Sequence, residues 1–443
     1  SNEVMSEEEK QCTVEDLKRL SCLPGVLDSS QWHQLTKLNL PNCNLTTLPS
    51  NLNAVLPNLS ILFCPSNRFE ELPPVIGSCL SLQMVSFKSN GMRRIHPDAL
   101  QPQLRWLILT DNCLSTIPPE IGRCTLLQKL MLAGNQISTI PAEISNCTSL
   151  ELVRLATNQL EEPPLDLLRL PKLAWVALSE NPFLSECYTK IESAKLAVLN
   201  DCEWNSHLDN DDSTILGQGA SGTTRKGEYH GRPVAVKTYG SNMTSDGNPE
   251  HEHQLAALVG SYISDSPYLI QVIGCTPHGS LVMELLENYK ALAEPPSLQS
   301  CTRDVYRNDS KEYRWVSSPQ KALILLEAML SVLERLHSIG ICHGDFYAHN
   351  ILVASSIRVD DLPIKLSDFG AAFVYDPKSE YGRYIVQIEV RAFTVLVGDV
   401  ATRIEVENSD ADNETVARIK SLYSLSQSAT SFSSLQQTWS HKA

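Results

Sequence analysis

Apolar residues recur at a fixed spacing through the first half of the chain. The segments LTKLNLPNCNLTTLP and LSILFCPSNRFEELP align on the pattern L-x-x-L-x-L-x-x-N-x-L, which returns about every 22–24 residues. The pattern starts at Leu35, Leu59, Leu82, Leu104, Leu127, Leu150 and Leu173. Side chains two positions apart lie on one face of a strand, so each repeat predicts a short strand with one buried face. One coil cannot bury that face alone, and stacked coils would supply the core.

A polar position accompanies the leucines. It is occupied by Asn67, Asn90, Asn112, Asn135, Asn158 and Asn181, with Cys43 in its place in the first repeat. An asparagine side chain can bond the backbone of the adjoining turn and connect successive coils. The spacing is that of leucine-rich repeats and predicts an α/β solenoid of about seven repeats over residues 35–183. We expect residues 1–34 to cap its start, and residues 184–212 to form a second cap and an acidic linker.

The strand positions that face away from this core are mostly apolar. An exposed apolar stripe on a concave surface usually marks a site for a protein partner. Packing against the second half of the chain, or against a neighbouring copy, would explain the stripe equally well. Both interpretations stay open here. The predicted partner contacts are Phe63, Met84, Trp106, Ile108, Met131 and Trp175, flanked by Ile61 and Leu152.

The second half opens on a glycine-rich segment, ILGQGASGTTRKGEYHGRPVAVK. Gly217, Gly219 and Gly222 form G-x-G-x-x-G, a pattern that dinucleotide-binding turns share. A strand, a turn and a second strand follow the third glycine, whereas a dinucleotide-binding turn would lead into a helix. The second strand ends at Lys237. A glycine-rich hairpin of this kind, with Ser221 at its tip, lets the backbone approach ATP phosphates while the lysine neutralises them.

Further residues are predicted to complete a nucleotide site. A buried lysine needs a carboxylate, and Glu252 in the helical segment PEHEHQLAALV is the better placed candidate, with Glu250 second. The apolar strand SLVMELL leads to a hinge and is expected to line an adenine pocket. The predicted nucleotide-binding residues in these strands are Ala235, Met283, Glu284 and Leu286.

A long amphipathic helix ending at Gly340 delivers the chain to HGDFYAHN, and IKLSDFG follows. These segments supply Asp345, Asn350 and Asp368. The ordered set of motifs resembles the protein kinase superfamily over residues 213–400, which implies a two-lobed α+β domain, placed at residues 213–420. With repeats in front, PPSLQSCTRDVY in the middle and IEVRAF at the back, the chain resembles a family of leucine-rich-repeat protein kinases found mainly in bacteria.

The resemblance implies a role for each motif residue. Asp345 would accept or orient the proton of the attacking hydroxyl group, and Asn350 and Asp368 would hold Mg²⁺ at the phosphates. Lys237, paired with Glu252, would position ATP. Positioning and charge neutralisation are what phosphoryl transfer chiefly requires, so the residue types fit the chemistry.

The catalytic segment departs from the kinase pattern at two positions. Gly344 replaces an arginine that pairs with a phosphorylated activation loop in regulated kinases, which predicts activity without phosphorylation of Ser379, Tyr381 or Tyr384. Tyr347 replaces the lysine that stabilises the transferring phosphoryl group in serine/threonine kinases. That second change leaves the rate and the acceptor hydroxyl open.

The end of the chain is reduced compared with a full kinase. The stretch from Gly370 to Glu389 is short and lacks A-P-E, and Glu389 takes the place of an aspartate in a D-V-W-S-F-G-like helix. Residues 421–443 are rich in serine and are expected to form a loosely ordered tail.

Composition narrows the functional classes. The formal charge of −15 argues against nucleic acid or an anionic membrane as the main partner. We find no membrane-spanning or signal segment, and the 13 cysteines form no zinc motif. Cys79, Cys124 and Cys147 each precede a repeat-starting leucine by three residues, which predicts buried core positions. A reducing, cytoplasmic compartment fits best.

Three functions compete at this point. The first is an ATP- and Mg²⁺-dependent protein kinase that phosphorylates serine or threonine. Its repeats would select a protein partner. The second is a small-molecule phosphotransferase, because H-G-D-x-x-x-x-N also occurs in aminoglycoside and choline kinases. The third is a pseudokinase scaffold that binds ATP without turning it over. The repeats favour a protein substrate over a small one, and intact Lys237, Asp345, Asn350 and Asp368 favour catalysis.

Overall fold

A computed structural model describes residues 33–192, 195–199, 214–219, 222–240, 243–307, 314–354, 364–405 and 410–440. The chain divides into two compact units. The first comprises residues 1–150 and 158–171, and the second comprises residues 151–157 and 172–443. The predicted start cap up to residue 32, the acidic stretch Asp209–Asp212 and Ser221 lie outside the described residues.

The first unit holds the parallel sheet of a solenoid. Five strands pair in register, each with the next along the sheet. They are β1 (Lys37–Asn39), β2 (Ile61–Phe63), β4 (Met84–Ser86), β6 (Trp106–Ile108) and β7 (Lys129–Met131), while β3 (Glu71–Leu72) and β5 (Arg94–Ile95) form a second short pair. The returning segments are α1 (Leu52–Val55), α2 (Val75–Ser78), α3 (Leu165–Leu168) and the 3₁₀ turns Pro97–Ala99, Pro119–Arg123 and Ala142–Asn146.

The repeat residues behave as their spacing predicts. The leucines of the pattern are buried except Leu35, which is half-buried, and Asn112 Oδ1 accepts hydrogen bonds from the backbone N–H groups of Asn90 and Met92, at 3.1 and 2.9 Å. Its Nδ2 donates to Phe87 O at 3.0 Å, so one side chain connects neighbouring coils. The cysteines at positions 79, 124 and 147 are buried as well, and burial raises the pKa of the Cys124 thiol to about 12. The predicted solenoid is confirmed.

The second unit begins with two further repeat strands. These are β8 (Leu152–Arg154) and β9 (Trp175–Ala177), which pair in parallel with Val153 opposite Val176. A 3₁₀ turn (Pro182–Leu184) and α4 (Ser185–Glu192) follow. Within this second cap the sequence predicts a helix over residues 184–200, but α4 ends at Glu192, and Ala197 and Leu199 instead exchange backbone hydrogen bonds of 2.9 Å with Cys275. Gly274 permits this approach, since a Cβ atom there would lie 2.5 Å from Ala197 O.

A five-stranded antiparallel sheet forms the smaller lobe. Its strands are β10 (Ile215–Gly219), β11 (Gly222–Tyr229), β12 (Arg232–Tyr239), β13 (Val272–Cys275) and β14 (Leu281–Glu284), in the order β10-β11-β12-β14-β13. Helix α5 (Pro249–Tyr262) lies between β12 and β13 in the chain. Its N-cap Asn248 accepts a hydrogen bond from Glu250 N at 3.0 Å, and Pro249 at the first position fits the start of a helix.

The larger lobe is mostly helical. Its helices are α6 (Arg314–Ser317), α7 (Pro319–Ser338), α8 (Glu380–Ala401), α9 (Asp410–Ser426) and α10 (Phe432–Ser440). Its short strands are β15 (Tyr289–Ala291), β16 (Ile341–Cys342), β17 (Ile351–Ala354), β18 (Ile364–Leu366) and β19 (Phe373–Val374). Strands β15, β17 and β18 form one sheet, and β16 pairs with β19, which brackets the catalytic segment.

The expectation of a loosely ordered tail over residues 421–443 is wrong for the part that the structure describes. Phe432, Leu435 and Trp439 recur at helical spacing, and α10 buries all three. Serine content alone was a poor guide, because these three apolar residues lie on one helical face and pack against the rest of the lobe. Across the described residues, no helix combines the length and apolarity needed to cross a bilayer.

Candidate active site

Lys237 lies at the centre of an ion cluster in the smaller lobe. Its Nζ donates to Glu252 Oε1 at 2.9 Å and to Asp368 Oδ1 at 3.0 Å. Burial alone would lower the pKa of Lys237, but the carboxylates of Asp368 and Glu252 raise it overall. Burial alone would likewise raise the pKa of Asp368, and Lys237 lowers it to about 2. The cluster therefore holds a charged lysine beside an ionised aspartate, and the structure places Glu252, rather than Glu250, against the lysine.

The glycine hairpin and the predicted nucleotide-binding residues of the strands lie in the same lobe as Lys237. Gly217 and Gly219 lie on β10 and Gly222 begins β11; a Cβ atom on Gly217 would meet nothing within 4 Å. Ala235 and Met283 lie opposite each other in the β12–β14 pairing and are buried in one apolar cluster. Leu286 follows the end of β14. The carboxylate of Glu284 is engaged, since it accepts from Lys365 Nζ at 2.9 Å and from Gln271 N at 2.8 Å.

The catalytic segment is held by its own hydrogen bonds. Asn350 Nδ2 donates to the Asp345 backbone oxygen and to Asp345 Oδ2, both at 2.9 Å. Ser367 donates from its backbone N–H and its Oγ to Asn350 O at 2.9 Å, which connects Asn350 with the chain beside Asp368. Asp345, Asn350 and Asp368 are thus brought together as the motifs predict.

Glu389 on α8 anchors the start of this segment. Its carboxylate accepts hydrogen bonds from His343 N at 3.1 Å and Gly344 N at 2.8 Å, and it bonds His337 Nε2 at 2.7 Å. Burial alone would raise the pKa of Glu389, but these hydrogen bonds, led by the one to His337, lower it. The buried glutamate therefore fixes the backbone just before Asp345, a role that the sequence did not predict. The His343 ring packs 5.0 Å from Phe369 of the DFG segment.

The motifs did not predict a second cation beside Asp345. Arg154, at the end of β8, donates from Nη2 to Asp345 Oδ1, from Nε to Asp246 Oδ1 at 2.8 Å, and from Nη1 to Gly344 O at 3.0 Å. Asp246 precedes α5 and was also missed. A signal existed for Arg154, because it is a charged residue at an outward strand position that is apolar in most repeats. No local motif marks Asp246.

The structure accounts for both departures from the kinase pattern, at Gly344 and at Tyr347. Tyr347 stacks on the indole of Trp175, with ring centroids 4.1 Å apart and planes at 7°, and Trp175 Nε1 donates to Phe346 O at 2.9 Å. Gly344 has a φ of +74°, which favours glycine.

The prediction that Trp175 contacts a separate protein partner is therefore wrong. Its side chain is 1% exposed and lies under Tyr347, which corresponds to the alternative of packing within the chain. Met84 and Trp106 are also buried, at 4% and 7% exposure, and Lys129 Nζ lies 4.3 Å from the centre of the Trp106 ring, so neither is an exposed anchor. Phe63, Ile108 and Met131 stay half-buried and remain predicted contacts.

Comparison with known proteins agrees with this geometry. The model of the protein kinase domain matches residues 211–403, and a leucine-rich-repeat model matches residues 102–160. The chain therefore contains a leucine-rich-repeat region followed by a protein kinase domain. Its kinase domain begins just before the glycine hairpin and ends after α8, close to the limits expected from the motifs.

Individual relatives match only part of the chain. It is 26% identical to a probable LIM domain-containing serine/threonine-protein kinase of Dictyostelium discoideum, over 36% of this chain and 22% of that protein. It is 27% identical to a probable LRR receptor-like serine/threonine-protein kinase of Arabidopsis thaliana, over 38% of this chain and 15% of that protein. Fibromodulin of Oryctolagus cuniculus is 30% identical over 24% of this chain and 70% of that protein. The chain thus spans less than a quarter of either kinase.

A protein kinase domain uses ATP and a divalent metal ion, and the donor atoms here suit such an ion. Asp368 Oδ1 is engaged by Lys237 and by Gly370 N, whereas the hydrogen bonds among the described residues leave its Oδ2 and the Asn350 Oδ1 open. Both are hard oxygen donors. Among the described residues no cluster of three His, Cys, Asp or Glu side chains forms a complete cage. An ion that draws further ligands from phosphates fits two such oxygens.

Proposed function

We propose that the chain is an ATP-dependent protein kinase that phosphorylates serine or threonine, with the repeats of the first unit as a protein-interaction surface. One observation carries the proposal: Lys237 pairs with Glu252 and Asp368, Asn350 bonds Asp345, and Ser367, the residue before Asp368, bonds Asn350 O. The serine/threonine kinases among the relatives support the class of acceptor.

In the proposed reaction, the hydroxyl oxygen of the substrate attacks the γ-phosphorus of ATP. The bond from that phosphorus to the β–γ bridging oxygen breaks, and ADP leaves with the electron pair. The hydroxyl proton passes to Asp345, whose Oδ2 is held by Asn350. Lys237 is charged and placed to neutralise the phosphates, and Glu252 keeps it there. The products are ADP, a phosphoester and one proton.

We propose Mg²⁺ as the metal ion, held by Asp368 and Asn350. When bound, it would neutralise phosphate charge, which is the chemistry that carboxylate and amide oxygens select. The protein's own part is to keep Asp368 ionised, and Lys237 does so by lowering its pKa to about 2. At neutral pH the carboxylate is therefore available as a ligand.

The short activation segment keeps a small-molecule phosphotransferase as a second candidate. Residues 375–379 alone separate β19 from α8, and Ser379 caps that helix by accepting from Gly382 N at 3.0 Å. Such a segment offers little surface for a peptide. The repeats favour a protein substrate, and the half-buried Phe63, Ile108 and Met131 are the proposed contacts of a protein partner.

The test uses purified full-length protein with MgATP labelled at the γ-phosphate, incubated alone, with a generic protein substrate, and with aminoglycoside or choline acceptors. Asp345→Asn is the control. Label in protein that disappears in the control supports the proposal, and label in the small acceptors alone supports the second candidate. Binding of ATP without label transfer would indicate a scaffold. Loss of activity after phosphatase treatment would contradict the predicted independence from phosphorylation of Ser379, Tyr381 or Tyr384.

The proposed compartment is the cytoplasm. Ten cysteines in the described part of the chain form no disulfide, which supports this proposal. Fractionation of cells that produce the chain would test this compartment.

A further inference from the structure

The catalytic segment itself supplies no cation beside Asp345. In serine/threonine kinases a lysine two residues after the aspartate does so, and Tyr347 stands there in this chain. The Tyr347 side chain is buried and stacked on Trp175, and its hydroxyl group makes no hydrogen bond among the described residues. The site that must accept an anionic phosphoryl group nevertheless contains the carboxylates of Asp345, Asp246 and Asp368. A cation from another element is needed to offset them.

Arg154 is that cation by position. Its guanidinium contacts three acceptors, namely Asp345, Asp246 and Gly344 O, and its side chain is 3% exposed. Burial alone would lower the pKa of Arg154, but the two carboxylates raise it, so the group stays charged. The planar fork of a guanidinium donates from three separate nitrogens, so Nε, Nη1 and Nη2 of Arg154 each serve a different acceptor. Arg154 therefore holds Asp345 in one orientation through a charge-assisted hydrogen bond.

The contact leaves the substrate side of Asp345 accessible. The Asp345 side chain is 18% exposed, while Arg154 is almost completely enclosed, so the guanidinium lies on the buried side of the carboxylate. Asp345 Oδ2 accepts one hydrogen bond from Asn350, and each carboxylate oxygen has two lone pairs. A substrate hydroxyl can therefore still donate to the exposed side. This geometry distinguishes a supporting contact from one that blocks the site.

We propose that Arg154 is a positioning residue for phosphoryl transfer, so that a repeat strand supplies the cation that the catalytic segment lacks. This inference rests on the proposed kinase function. Arg154 orients Asp345 for the proton that leaves the attacking hydroxyl, and its charge offsets the acidic surroundings of the arriving phosphoryl group. Strand β9 completes the arrangement, since Trp175 fixes Tyr347 beside it.

The test compares full-length wild type with Arg154→Gln and Arg154→Lys. Arg303→Gln is the matched control, because Arg303 also lies beside Trp175, at 5.3 Å from the ring, and pairs with Glu151 of the repeat segment. Calorimetric titration with MgATP gives the fraction of each protein that binds ATP. Initial rates then give kcat per ATP-binding site and the KM for ATP.

We expect Arg154→Gln to lower kcat per ATP-binding site by about ten- to a hundredfold, with a KM for ATP near wild type; this is less than the loss of a donor that contacts the reacting atoms, because Arg154 acts through Asp345. Arg154→Lys should give a smaller loss, and Arg303→Gln should match wild type. A higher kcat in Arg154→Gln would show an inhibitory contact and overturn the proposal. So would a kcat per ATP-binding site equal to wild type, which would leave Arg154 a structural role.

Two further outcomes are informative. If Arg154→Gln does not fold, Arg154→Lys decides: a reduced kcat with unchanged ATP binding supports positioning, and a wild-type kcat contradicts it. If wild type itself transfers no phosphate while it binds ATP, the proposed function fails first. If instead wild type is active and its rate does not depend on residue 154, only the proposal for Arg154 fails.

Discussion

A Cβ atom on Gly344 would lie 2.5 Å from Val176 O and 2.6 Å from Ala371 O. An arginine at this position, as in regulated kinases, would meet the same two backbone atoms. The absence of that arginine therefore has a packing cause in this chain, separate from any effect on regulation. Gly344 is required because β9 approaches the catalytic segment closely.

Replacing this glycine gives a prediction at the residue scale. We expect Gly344→Ala to lower the free energy of unfolding by more than about 1 kcal/mol, because φ is +74° and the new methyl group overlaps backbone oxygens. Urea unfolding followed by circular dichroism would measure the loss. Gly231→Ala is the control for the cost of a positive φ alone, since Gly231 has a φ of +73° and a Cβ atom there would meet nothing within 4 Å. Equal losses in the two variants would contradict the packing argument.

Single residues also show where sequence reasoning succeeds. Lys237, Glu252, Asp345, Asn350 and Asp368 were all singled out from local motifs, and the structure brings them together. Each motif carries its own signal, because the spacing of glycines, charges and strands within a few residues reflects the chemistry directly. Arg154 lies in no such local motif, since its partner Asp345 is 191 positions away.

Helix α5 contains a titratable side chain whose protonation affects the stability of the fold. His251 is buried in this helix, and its ring packs edge-on against Tyr188 of α4 at 5.5 Å. Burial lowers the pKa of His251 to about 4, against an ordinary 6.5, although a hydrogen bond with the backbone of Ala372 opposes the shift. The folded protein therefore keeps His251 neutral where the unfolded chain would protonate it.

The consequence is a loss of stability in mild acid. Because the folded pKa is the lower one, the contribution is complete above pH 6.5 and declines as the pH falls towards 4. We expect a decrease of about 2 kcal/mol in the unfolding free energy between pH 7.5 and pH 5 from this residue. Urea titrations at both values, on wild type and His251→Gln, isolate the effect. The same pH dependence in both proteins would rule it out.

Helix α10 permits a packing prediction at the same scale. Phe432 is almost fully buried and its ring lies 6.1 Å from that of Phe393 on α8 and 5.0 Å from His337 on α7. Phe432→Ala should destabilise the kinase domain by about 3–5 kcal/mol through the cavity it leaves. The control is Ser433→Ala at the neighbouring exposed position. If thermal unfolding of the two variants coincides, the helix does not contribute to the core as the structure shows.

At the scale of the whole molecule, the boundary between compact units differs from the boundary between sequence patterns. The repeats were predicted to end at residue 183, yet residues 151–157 and 172–177 belong to the compact unit that contains the kinase domain. Periodicity treats all outward strand positions alike, so it predicts the strands but not which of them pack against another segment. Arg154 and Trp175 occupy such positions, and their long-range contacts decide their roles.

The second unit therefore cannot be excised at the start of the kinase motifs. A chain from residue 213 to the end lacks β8 and β9, so Tyr347 loses the Trp175 ring and Arg391 loses its hydrogen bond of 2.6 Å to Leu173 O. A chain that starts at Leu127 keeps these strands with a full repeat before them. We expect the shorter chain to unfold at a temperature at least about 2 °C lower, since each kcal/mol lost shifts a domain of this size by about 2–4 °C. Differential scanning calorimetry on both chains and on the full chain measures the difference. A shorter chain that unfolds with the same midpoint and enthalpy as the longer one would show that β8 and β9 are dispensable for the kinase fold.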